Sequence, residues 1–246
     1  MRILVTGSAD GLGRLTAAAL LAAGHEVVVH VRARARLNAV AALLDQGADA
    51  VVGDLSDLAQ TREVARQAND LGRMDAVIHN AGVYSGPQVM PVNVVAPYLL
   101  TASLHRPSRL ISLSSGLHRS GHPVVDRLFG AGGRASGSYS DSKLFVTTLA
   151  AAVARLWPDV LSNAVDPGWV PTRMGGPDAP DDLELGHLTQ EWLATSDDPR
   201  ALTSGGYWHH QRRLDPHPSV HDQRFQDELL AALAAHTGVE LPSPSP

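Results

Sequence analysis

The chain has 246 residues, 44% hydrophobic and 18% charged, with a formal net charge of −5. That balance supports a buried core in one domain and speaks against a basic nucleic-acid-binding module. The absence of cysteine excludes disulfides and thiolate chemistry, and no stretch reaches the roughly 20 consecutive apolar residues of a membrane span.

Met1-Arg2 leads directly into Ile3-Leu4-Val5, without the pattern of a secretory signal, so a cytoplasmic protein is expected. Ile3-Leu4-Val5 reads as a strand. Leu12, Leu15, Ala19 and Leu20 then recur at helical spacing, with Gly24 placed to end the helix. Val27-Val28-Val29 reads as a second strand, 34–46 as a helix, and Ala50-Val51-Val52 as a third strand. A helix over 57–71, a strand at Ala76-Val77-Ile78, a helix over 93–104 and a strand over Leu110–Leu113 follow. A helix over 139–156 and a strand from Leu161 to Val165 complete the alternation. Strands alternating with helices predict an α/β fold: a doubly wound parallel sheet (Rossmann fold) with helices on both faces.

Beyond residue 170 the pattern loosens. Residues 171–182, rich in Pro, Gly and Asp, read as a loop, and the irregular stretch extends to about Pro199. Gly205-Gly206-Tyr207-Trp208 opens a last strand, and Phe225, Leu229 and Leu233 mark a helix over 221–236 before Gly238. One domain over 1–241 is expected, with 242–246 as a flexible tail.

Two motifs carry chemistry. Thr6-Gly7-Ser8-Ala9-Asp10-Gly11-Leu12-Gly13 joins the first strand to the first helix. Glycines there let a phosphate approach the backbone, and the helix N-terminus offers free N–H groups and a positive dipole end. Tyr139-Ser140-Asp141-Ser142-Lys143 opens a helix, and four-residue spacing puts Tyr139 and Lys143 on one face. A free phenol has a pKa of about 10, and a nearby ammonium is expected to lower it, making Tyr139 a responsive proton donor and acceptor. Lys143 is the only lysine in the chain. With four tyrosines present, the chance of that one lysine falling four residues after any of them is roughly 2%.

With these motifs in this order, roughly residues 1–175 resemble the short-chain dehydrogenase/reductase family. The resemblance implies hydride transfer between a nicotinamide cofactor and a carbonyl or alcohol. It places Gly7, Ser8, Gly11, Leu12 and Gly13 in the cofactor loop, Asp54-Leu55 against the adenine, and Asn80-Ala81-Gly82 beside the adenine ribose. Pro167-Gly168, Val170 and Thr172 would meet the nicotinamide, and Tyr139 and Lys143 its ribose. Ser115, second of the pair after the fifth strand, would hydrogen-bond the substrate oxygen. Asn93 would provide the helix kink that holds a relay water, although only 13 positions separate it from Asn80.

The end of the second strand, Val29-His30-Val31-Arg32-Ala33-Arg34, holds no acid to accept a ribose 2′-OH, while Arg32 is placed to bind a 2′-phosphate, with Arg34 or Arg36 adding charge. NADP(H) is therefore the expected cofactor, with NAD(H) as the second choice. Asp10, in a loop position often basic in NADP-using relatives, runs against that trend. No metal is expected: His209, His210, His217 and His221 form no zinc-like spacing. The expected partner is a small carbonyl or alcohol substrate, with no nucleic acid and no membrane. The apolar, Ala-rich 144–156 segment is compatible with a homodimer or homotetramer, or with packing on the sheet. Two other readings stand beside the reductase. One is a cofactor-binding sensor on the same fold. The other is a sugar-nucleotide epimerase or dehydratase, against which the glycine spacing and the short C-terminal part argue.

Overall fold

Alternate residues of the short apolar runs point to opposite sides of one sheet. In β1 (Arg2–Val5), Ile3 and Val5 join one buried cluster and Leu4 the other, as the two-residue period of a strand requires. Val77 is likewise separated from Ala76 and Ile78 in β4 (Ala76–His79). The computed structural model describes residues 1–128 and 137–243.

The remaining strands are β2 (Glu26–Val31), β3 (Asp49–Val52), β5 (Arg109–Leu113), β6 (Leu161–Asp166), β7 (Tyr207–His209) and β8 (Arg212–Leu214). Their order is β3-β2-β1-β4-β5-β6-β7-β8, all parallel except β8. The chain builds outward from β1 in one direction, then returns to β4 and builds in the other. This reversal leaves a crevice beyond the carboxyl ends of β1 and β4, where doubly wound sheets bind ligands.

Helices cover both faces. Leu20 of α1 (Gly11–Ala22), Leu43 of α2 (Ala41–Asp45) and Leu193 of α6 (Leu185–Thr195) pack on one side. Val64 of α3 (Leu58–Asp70), Leu100 of α4 (Ala96–Ser103) and Leu149 of α5 (Tyr139–Leu156) pack on the other. α7 (Gln223–Thr237) lies against α5, with Phe145 and Phe225 rings 5.9 Å apart. No helix among the described residues is long and apolar enough to cross a membrane.

Four local features depart from the sequence reading. α6 lies inside the stretch read as irregular. Asp182 Oδ1 accepts the backbone N–H groups of Glu184 (2.7 Å) and Leu185 (3.2 Å), starting the helix. Its inward face carries buried Thr189 and Gln190, which interrupt the apolar stripe that would have revealed it. β8 was also missed. It turns back on β7 through His210 and Gln211, both at positive φ, the geometry of a tight two-residue hairpin. The 34–46 segment is a 3-10 turn over Arg34–Val40 followed by the short α2. The helix expected over 93–104 begins as a π-turn, Pro91–Val95, before α4.

The expected tail also needs correction at its start. The Pro242 carbonyl accepts from Trp157 Nε1 at 2.8 Å and from Arg106 at 3.2 Å, and Arg106 also reaches the Ser243 carbonyl at 2.6 Å. Residues 244–246 lie outside the described residues. The apolar face of α5 that suggested oligomerisation packs within the chain, on the sheet and under α7.

Leu229 of α7 is fully buried. Leu229→Ala should cost about 2–5 kcal/mol of unfolding free energy, measured by urea denaturation, because the deleted atoms leave a cavity. An unchanged urea midpoint would show that α7 does not belong to the core.

Candidate active site

The loop after β1 is pressed against the turn after β4. A Cβ on Gly13 would stand 2.3 Å from Asn80 Nδ2 and 2.4 Å from the Gly7 carbonyl oxygen, so no larger residue fits. Gly7 has φ +70°, and a Cβ there would lie 2.9 Å from Ala81 Cα. Hydrogen bonds seal the contact: Asn80 Nδ2 donates to the Thr6 carbonyl at 2.8 Å, and the Ala81 N–H to Thr6 Oγ1 at 3.0 Å.

A cleft of 740 Å³ opens there, lined by Gly7, Gly11, Leu12 and Gly13 on one wall and by Asn80, Ala81 and Gly82 on the other. The first turn of α1 receives no side-chain cap; Asp10 pairs instead with Arg36 at 3.3 Å. Its leading N–H groups therefore face the cleft with the positive end of the helix dipole, an arrangement that accepts a phosphate. Arg32, Arg36, Asp54 and Leu55 line the end of the cleft near β2 and β3. These residues fit a dinucleotide: a close-approach glycine cradle, unclaimed amides and two guanidinium groups.

Tyr139, Lys143, Pro167 and Thr172 also line the cleft. A capping box fixes Tyr139 in the first turn of α5: Ser138 Oγ accepts the Asp141 N–H, and Asp141 Oδ2 accepts the Ser138 N–H, each at 3.1 Å. The Ser115 side chain acts on the Tyr139 phenol, favouring its ionised form. Lys143 is buried, donates from Nζ to the Leu113 carbonyl at 2.6 Å, and lies 5.5 Å from the Tyr139 ring centre.

The profile of the short chain dehydrogenase family matches residues 1–114. The short-chain dehydrogenase chry4 of Gibberella zeae is 36% identical over 257 aligned residues, which cover 99% of each chain. The chain belongs to the short-chain dehydrogenase/reductase family. Its fold agrees with a solved protein from Mycobacterium paratuberculosis (TM-score 0.83, 23% identity, covering 98% of this chain and 94% of that one). It is also similar to RhlG of Pseudomonas aeruginosa, solved as an NADP active-site complex (TM-score 0.66, 25% identity, covering 85% of this chain and 93% of that one). The protein is thus an NAD(P)-dependent oxidoreductase of this family.

Within this dehydrogenase/reductase, several expected site residues stand back from the cleft. Ser8 is buried: its hydroxyl donates to the Val5 carbonyl at 2.5 Å and accepts the His30 N–H at 3.2 Å, so it braces the loop from behind. Val170 is buried against Gly186, and Gly168 turns the chain at φ +83°. Asn93 is buried in the π-turn: its amide exchanges hydrogen bonds with the Val83 backbone, both at 2.9 Å, and donates to Ser142 Oγ at 3.0 Å. Ser114 lines the cleft but is committed to Thr147, 2.6 Å away; Ser115, the serine expected to meet the substrate, is not among the cleft-lining residues described and acts on the Tyr139 phenol. Trp208 is buried and donates to Asn163 at 3.1 Å, whereas Trp169 is exposed. Residues 129–136 lie outside the described residues.

Sequence reasoning missed two residues. Tyr84 lines the cleft with its ring 4.8 Å from that of Tyr139; its signal was its place just after Asn80-Ala81-Gly82. Asp166, the last residue of β6, accepts from Tyr207 OH at 3.0 Å and from the Gly168 N–H at 3.0 Å. A charge at the carboxyl end of a strand was the clue there.

The expected lowering of the Tyr139 pKa is not what the site does. Burial pushes the phenol up to about 12; the Ser115 side chain works against this, while Asp166 and Tyr84 reinforce it. Burial also brings Lys143 down to about 8, against the pull of Asp166. Desolvation wins because both groups leave water, and the lysine is bonded to a carbonyl rather than to the phenol. The Asp166 carboxylate thus favours the protonated form of both groups. In Asp166→Asn, the Tyr139 phenol should ionise at lower pH than in the wild type, measured by ultraviolet difference titration against Tyr139→Phe. A superimposable titration would show that Asp166 does not act on Tyr139.

Proposed function

We propose that the protein interconverts a ketone or aldehyde and the corresponding alcohol with NADP(H), with Tyr139 as general acid and base. The observation that carries this reading is one cleft with Tyr139 and Lys143 at one end and Arg32 and Arg36 at the other, with Ser115 acting on the Tyr139 phenol. When bound, the dinucleotide supplies or accepts the hydride. In reduction, Tyr139 gives its proton to the carbonyl oxygen as negative charge develops there, while the Ser115 hydroxyl donates a hydrogen bond to the same oxygen. The high pKa of Tyr139 keeps that proton in place at neutral pH.

Lys143 serves the proton supply and the nicotinamide ribose. Asn93 acts through position: its side chain ties the π-turn to Val83 and to Ser142, the neighbour of Lys143. Gly82 keeps this corner open, since a Cβ there would sit 3.5 Å from Asn93 Oδ1 and 3.7 Å from Lys143 Nζ. Preference for NADP(H) over NAD(H) follows from Arg32 and Arg36, which line the end of the cleft near β2 without an acidic residue on that strand end. Asp10 does not oppose a 2′-phosphate in isolation, because its charge is paired with Arg36.

A panel of ketones and aldehydes with NADPH and NADH tests the reading. Tyr139→Phe should lower kcat about 10²- to 10⁴-fold and leave cofactor affinity near that of the wild type. Equal rates would remove Tyr139 from the mechanism, and cofactor binding without turnover on any substrate would favour a sensor. Arg32→Asp should weaken NADPH binding about tenfold or more while sparing NADH, since it removes a charge-assisted contact and adds repulsion. Retained NADPH preference in that variant would refute the cofactor assignment.

A further inference from the structure

Gly7, the first glycine of the loop, is gripped at three points. Ala81 occupies the space where a Cβ would stand, the Gly7 carbonyl accepts from Asn80 Nδ2 at 3.3 Å, and the Gly7 N–H donates to Nδ1 of His30 at 3.0 Å. His30 is the next-to-last residue of β2 and is 3% exposed. Its other ring nitrogen, Nε2, lies 2.8 Å from the Gly53 carbonyl, a group that can only accept. The two contacts together assign the tautomer: Nε2 bears the hydrogen and Nδ1 presents a lone pair. The backbone adds two more ties, from the Ser8 N–H to the His30 carbonyl (3.0 Å) and from the His30 N–H to Ser8 Oγ (3.2 Å). His30 therefore joins the phosphate loop to β2 and to the turn after β3, and its ring forms part of the cleft wall.

We infer that His30 is a positioning residue for the cofactor: its neutral ring holds the Gly7 amide so that the α1 N-terminus meets the dinucleotide phosphates, and protonation at Nδ1 releases that hold. The inference rests on the dinucleotide reading above. A proton on Nδ1 would set two N–H donors face to face. Gly7 has little room to slide away, because Ala81 fills the space in which even a Cβ on Gly7 would clash. The loop must then shift as a unit, and Gly13, packed on the Gly7 carbonyl, shifts with it.

The charged surroundings are few. Asp54, from the turn after β3, acts on the ring, and Asp10, Arg32 and Arg36 line the same cleft. The register partner of His30 on β3 is Val51. Burial lowers the His30 pKa below its usual value, with the Gly53 carbonyl and Asp54 opposing. The sign follows. A depressed pKa keeps the ring neutral at and above the ordinary histidine range, and the hold is lost only as pH falls below it.

Calorimetric NADP⁺ affinity, measured from about pH 8 down to about pH 5 on wild type, His30→Asn and His30→Leu, tests the assignment. The asparagine carbonyl supplies an acceptor in the place of Nδ1 and does not titrate. Expected are a His30→Asn affinity within about threefold of wild type at the alkaline end and a loss of about tenfold in His30→Leu. Towards the acid end the wild type should weaken by a further fivefold or so relative to His30→Asn. Titration of the ligand phosphate is common to all three proteins and cancels in the ratios. Parallel wild-type and His30→Asn pH profiles, or full affinity in His30→Leu, would overturn the assignment. Should His30→Leu fail to fold, the wild-type and His30→Asn profiles still decide. A wild type that binds no NADP⁺ at any pH overturns the cofactor reading, and this inference with it.

Discussion

The approach of the β1–α1 loop to the end of β4 is the constraint from which the site follows. Two adjacent strands of a parallel sheet bring Thr6 and Asn80 together, and the loop can close on that turn only where it carries no side chain. Gly13 has no space for a Cβ, and Gly7 lacks both the space and a backbone conformation that other residues adopt readily. Once the loop is seated, the first amides of α1 must point into the crevice between the two halves of the sheet. The anion site is thus a product of packing rather than of any charged side chain.

At the other end of the cleft the controlling term is desolvation. Tyr139 and Lys143 stand on the first two turns of α5, behind a capping box, with most of that helix buried between the sheet and α7. Burial makes the phenol harder to ionise and the ammonium easier to lose, and Asp166 biases both towards holding their protons. A site in this state keeps the Tyr139 proton in place at neutral pH. Electrostatics and helix placement cannot be separated here, because the helix that carries the pair is also what removes it from water.

Much of the doubly wound fold was legible because its strands are short apolar runs and most of its helices carry regular apolar stripes. α6 was not, since its inward positions are Thr189 and Gln190, and Gln190 is accommodated only by donating to Thr16 (3.3 Å) and to the Gly186 carbonyl (3.1 Å). The hairpin end of the sheet was hidden by His210 and Gln211, which occupy a turn usually signalled by glycine or asparagine. In the site, Tyr139, Lys143, Ser115 and the glycines were readable from spacing and from their position at strand ends. Tyr84, Asp166 and His30 were not, because each acts through a partner distant in sequence.

By itself, the sequence determined the strands β1 to β7, a glycine loop suited to a phosphate, and that a tyrosine and the single lysine share one helical face. Those properties are local: strand and helix periods, glycine at a tight junction, and four-residue spacing depend on neighbours along the chain. Only the tertiary structure decided that β8 extends the sheet, that Ser8 and Asn93 brace the cleft from behind it, that Ser114 is tied to Thr147, and that the Tyr139 pKa rises rather than falls. Burial and hydrogen-bond choice depend on groups brought together from remote segments, and no spacing rule along the chain reports how much water each group has lost.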